Sequence, residues 1–109
     1  MTAAMENAKK AVEEAEKSTG KQGLIALDMG PTGKLLKPLG DLDFEEAVSL
    51  FGEVAKLGTE NGADCILIET MSDSYELKAA VLGAKENSSL PVFATVTFDE
   101  RGKLLTGGD

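Results

Sequence analysis

The sequence predicts an α/β protein in which three parallel strands alternate with three helices, and two observations carry that prediction. The runs GLIALD, DCILIET and VFATVTF are too short and too continuously apolar for surface helices, so they read as buried strands. The longer segments before and between them repeat apolar residues at helical spacing and carry start and stop residues. Connections this short require each helix to cross between parallel neighbours.

The first helix is expected over residues 3–18, a stretch of strong helix formers. Ala4, Ala8, Ala11, Val12 and Ala15 form its apolar stripe, with Gly20 closing the segment. The first strand covers residues 23–28 and runs into the loop ALDMGPTGKLLKPLG. A second helix follows from Phe44 to about Glu60, with Asp43 as N-cap and Glu46 as its capping-box partner. Leu42 is placed to staple against Ala47, and the buried face is Phe44, Ala47, Val48, Phe51, Val54 and Ala55. Asn61-Gly62 ends it.

The second strand spans residues 64–70. Ser72-Asp73 followed by Glu76 opens a third helix through Asn87, with Leu77, Ala80, Val81 and Ala84 inward. Residues 92–98 form the third strand, Asp99-Glu100-Arg101-Gly102 a turn, and Leu104 to Asp109 a tail. Both outer strands leave unpaired edges, and the sheet face carrying Leu67 and Phe93 has no helix to cover it. Segments are therefore expected to be missing at both ends, and self-association is expected of the chain by itself.

Composition narrows the chemistry. With 109 residues, 42% of them apolar and 28% charged, the chain fits one soluble domain. A formal charge of −8 argues against nucleic acid or an anionic membrane as partner. There is no histidine and a single cysteine, Cys65, so neither an internal disulfide nor a histidine-dependent triad can be built. No apolar run approaches the roughly 20 residues that cross a bilayer, and these features point to the reducing cytoplasm.

The Gly33-Lys34 pair suggests a phosphate loop, but the spacing G-x-x-G-K is too short and Leu35 replaces the hydroxyl residue that would hold magnesium. What remains is a glycine-permitted loop at the carboxyl end of a parallel strand, where ligands bind in α/β proteins, or else a plain connection. Alternation along the second strand puts Cys65, Leu67 and Glu69 on one face and Ile66 and Ile68 on the other, so Glu69 tips the strand at that rim. Its carboxylate can hold a substrate ammonium, receive a hydrogen bond from Thr70 or Ser72, or simply be solvated. Asp28 offers a second carboxylate, facing either the same rim or the helix layer. Cys65, at the far end of its strand, reads as a small apolar filler.

The stretches ALDMGPTGKLLKPLGDLDFEEA, ADCILIETMSDSYELKAAVLGAKEN and LPVFATVTFDERGKLLTGGD together resemble the homocysteine S-methyltransferase family, in its cobalamin-dependent branch. The resemblance covers about Met5 to Asp109. It implies a partial (β/α)8 TIM barrel, with residues 1–109 forming roughly its third to fifth β/α units. It also implies a cytoplasmic methyltransferase in which zinc, held by three cysteines, binds homocysteine as a thiolate that takes a methyl group from cobalamin. By the same resemblance Glu69 receives the homocysteine amino group, while Asp28, Gly30 and Thr32 support the substrate. The family's zinc cysteines fall on later strands, so this chain is expected to hold no zinc or cobalamin and to be inactive alone. Its partners would be homocysteine, the remaining barrel segments and the cobalamin and folate domains. The rival readings are a non-catalytic α/β assembly or binding module, and another barrel enzyme with a rim carboxylate.

Overall fold

Residues 2–108 are described by the computed structural model. In chain order the elements are α1 (Thr2–Thr19), β1 (Ala26–Met29), α2 (Phe44–Glu60), β2 (Cys65–Met71), α3 (Ser74–Asn87) and β3 (Val92–Val96). The strands form one parallel sheet in the order β1-β2-β3. This is the expected alternation of three helices and three parallel strands. β1 starts later and β3 stops earlier than the apolar runs, because backbone pairing and not hydropathy sets where a ladder begins. Asp109, at the end of the expected tail, lies outside the described residues.

Leu27, Met29, Ile66, Ile68 and Met71 project from the sheet into a core shared with Ala47, Val48, Phe51 and Ala55 of α2 and with Ala79, Ala80 and Ala84 of α3. The two helices touch closely at Gly83, where a Cβ would meet the Val48 carbonyl oxygen at 2.6 Å and the Gly52 nitrogen at 2.8 Å. Leu77 and Val81 sit at the margin of that contact, partly buried, and Glu76 takes an interior position.

On α1 Met5 is buried and Ala8 and Val12 are half-buried against the core, whereas Ala4, Ala11 and Ala15 are exposed. Alanine spacing left the helix's rotation undetermined. The larger apolar area of Met5 and Val12 decided it. On α2 the expected capping box is not formed: Asp43 makes no side-chain cap bond and instead pairs with Lys37 at 2.8 Å.

The loop from residue 30 to 42 folds back on itself. Leu36 and Leu42 are buried and bridged, with Lys37 N–H donating to the Leu42 carbonyl at 2.9 Å. The opposite sheet face carries Ala26, Asp28, Cys65, Leu67, Glu69, Phe93 and Thr95, and Phe93 is 59% exposed. The turn after β3 is organised by Asp99, whose carboxylate accepts from Arg101 N–H and Lys103 N–H.

Candidate functional site

The carboxyl ends of the three strands gather the residues that the sequence singled out. Asp28 is in register with Leu67, and Glu69 lies two residues further along β2, so both acids project from the face not covered by helices. This settles the side on which Asp28 lies: it shares the rim with Glu69. The two carboxyl groups are neighbours. A hydrogen bond with Asp28, then Asp28's negative charge, and lastly desolvation hold the Glu69 carboxyl above the ordinary glutamate range. Two acids so placed are relieved by a shared proton or by a cation lying between them.

A backbone irregularity sits next to Glu69. The β2–β3 register runs Ile68↔Ala94 and then Met71↔Val96, so β2 spends one residue more than its partner over this step. Glu69 and Thr70 together oppose Thr95, and Thr70 carries the distortion, with φ of 61°, a left-handed conformation that costs a β-branched residue about 1–3 kcal/mol. Its amide donates to Thr95 Oγ1 at 3.0 Å. The bulge turns Met71 into the core at 0% exposure, and full burial of such a side chain returns about 1.5–3 kcal/mol, enough to offset the strain.

The loop after β1 is held by α3. Glu76, 4% exposed, accepts from Thr32 N–H through Oε1 at 3.3 Å and from Thr32 Oγ1 through Oε2 at 2.8 Å. The amide N–H and the hydroxyl of Thr32 are thus engaged within the protein, while Gly30 is exposed directly after β1. Asp73 caps α3 by accepting from Tyr75 N–H and Glu76 N–H, and it also accepts from Thr106 Oγ1 at 2.8 Å. These contacts fasten the loops after β1 and β3 to the N-terminus of α3. A cavity of about 170 Å³ opens beside them, lined by Leu36, Pro38, Leu39, Asp73, Tyr75 and Thr106 among others. Asp73 is already satisfied there, and neither Asp28 nor Glu69 lines it.

From the sequence Glu69 could be placed at the rim and Asp28 only on one of two faces, and the roles of Glu76 and Thr95 were missed. Glu76 was visible only as a helix-start residue. Thr70 was visible only as a possible hydrogen-bond donor to Glu69, and Thr95 carried no signal, since it does not depart from ordinary strand composition. Cys65 opens β2, at the end away from the rim. Among the described residues no three His, Cys, Asp or Glu side chains are grouped to hold a metal ion, so the donors here do not fit a zinc site.

In parallel α/β folds ligands are commonly bound at the carboxyl ends of the strands, the end at which Asp28 and Glu69 lie. The chain belongs to the homocysteine S-methyltransferase family, whose model matches residues 1–109. It is similar to the methionine synthase of Mycobacterium tuberculosis, 38% identical over 86 residues, and to that of Mycobacterium leprae, 36% identical over 86 residues. Each alignment covers 74% of this chain and 7% of the relative's length. Among the described residues no helix is long and apolar enough to cross a membrane.

Proposed function

We propose that these residues form part of the homocysteine-binding wall of a cytoplasmic methionine-forming methyltransferase, in which Glu69 and Asp28 together receive the substrate ammonium. The observation that carries this reading is the pairing of the two acids at the rim. It creates a local excess of negative charge that a cation relieves, in a chain of a family whose substrate is an amino-acid thiol. Gly30 and Thr32 shape the bordering loop, Thr32 through its bonds to Glu76. Residues 1–109 correspond, on this reading, to about the third to fifth β/α units of a (β/α)8 barrel. The uncovered face of the sheet is its inner wall, and that face and the free strand edges promote self-association when the segment stands alone. The zinc and cobalamin implied by the resemblance belong to other parts of the complete enzyme. Among the present residues the task is to bind and orient homocysteine.

Glu69→Gln keeps the shape and removes the charge. In the complete enzyme it is expected to weaken homocysteine binding by roughly ten- to hundredfold, as loss of a charge-assisted contact does, with the melting temperature unchanged. Equal affinities of the two proteins by calorimetric titration would refute the assignment.

The same pair makes a pH prediction. A carboxyl raised in the folded state binds its proton more tightly folded than unfolded, so its stabilising contribution is complete below the ordinary glutamate range and is lost as pH rises through the folded value. Asp28→Asn is therefore expected to flatten this part of the stability profile and to raise the melting temperature slightly at neutral pH. Thermal melts of both proteins in acid and at neutral pH check the sign.

A further inference from the structure

We propose that Thr95 is a positioning residue for Glu69: its hydroxyl holds the bulge at Thr70 that keeps the Glu69 carboxylate beside Asp28. The inference rests on the role proposed above for those two acids and concerns a residue of β3, the strand next to that of Glu69.

In a regular parallel pair the amide of a β2 residue in this position would donate to a main-chain carbonyl of β3. Here the Thr70 amide donates to the side chain of Thr95 at 3.0 Å, and main-chain pairing resumes one step later, where Thr97 N–H donates to the Met71 carbonyl at 2.7 Å. The hydroxyl therefore substitutes for a ladder bond inside the bulge, where Glu69 and Thr70 together oppose Thr95. Thr95 reaches it because strand alternation places it on the same face as Phe93, which is in register with Leu67. Two opposing tendencies meet at this point. Thr70 disfavours a φ of 61°, and without the bulge the next side chain, Met71, would turn away from the core it now fills. The bond to Thr95 favours the bulged arrangement. Removing it leaves the Thr70 amide without its acceptor and frees the strand end to relax toward extended geometry, which rotates Glu69 relative to Asp28.

The test reads the geometry and the binding separately. In the complete enzyme, carbon-detected NMR titration follows the Glu69 carboxyl in Thr95→Val, Thr95→Ser and the double variant Thr95→Val/Thr70→Gly. Thr95→Val is expected to return Glu69 to the ordinary glutamate range. Thr95→Ser, which retains the hydroxyl, keeps it raised. Thr70→Gly restores it in the valine background, because glycine takes the left-handed conformation without the steric cost. A raised titration persisting in folded Thr95→Val, or lost in Thr95→Ser, overturns the inference.

In the complete enzyme, Thr95→Val is expected to weaken homocysteine binding about fivefold, the effect of one lost hydrogen bond, and to have no further effect in the Glu69→Gln background. Additive losses would mean that Thr95 touches the substrate independently, and would overturn its positioning role. If Glu69→Gln alone binds normally, the ammonium assignment fails, whereas the NMR series still decides whether Thr95 holds Glu69.

Discussion

Helices α2 and α3 open with the same local signal, an aspartate followed three residues later by a glutamate, yet the protein uses it in only one of them. At α2, Asp43 forms no cap bond and its side chain, 51% exposed, turns outward to Lys37, whose charged form it favours by hydrogen bond and charge. At α3, Asp73 is 8% exposed, caps the helix and also binds Thr106, while Glu76 leaves the capping box to hold Thr32. A capping sequence thus states what a helix end can do, and burial decides what it does. Exposed orphan N–H groups are satisfied by water, so Asp43 is free to take another partner. Beneath two loops water is excluded, and the same groups must find protein acceptors.

The largest expected effect in this comparison follows from Asp73→Ala. It removes the acceptor of two amides and one hydroxyl, and should cost about 2–3 kcal/mol in denaturant unfolding, a cap combined with a hydrogen bond to a charged group. A loss no greater than that of the matching change at α2 would break the comparison.

Glu76→Gln comes next. It retains an acceptor for Thr32 but not the charge, so the expected loss is about 1 kcal/mol, with faster amide exchange at Thr32 and unchanged exchange in α2.

Asp43→Ala should have the smallest effect of the three, at the edge of detection in thermal melts and smaller still in high salt, since only a solvated ion pair is lost. A large, salt-independent loss would show that Asp43 caps α2 in solution after all.

The legible parts of this protein were those governed by near neighbours. The bounds of α2 came directly from Asp43, Asn61-Gly62 and the apolar spacing between them, although the cap bond itself did not form. Alternation along DCILIET located Glu69 on its face. The rotation of α1 was illegible because its alanines are nearly equivalent, and only contact with the rest of the fold favoured Met5 and Val12. At the site, Asp28 could have faced either layer until the β1–β2 register was set.

By itself, then, the sequence determined the alternation of helices and strands, the exclusion of histidine chemistry and the presence of a carboxylate at a strand tip. These depend on side-chain period and on interactions reaching about one helical turn. The tertiary structure alone decided that Glu69 lies beside Asp28, that Glu76 serves Thr32 across 44 residues and that Thr70 leans on Thr95 across 25. Such partners are chosen by strand register and by which polar groups the core shuts away from water. Both are properties of the assembled fold, and no short stretch of the chain encodes them.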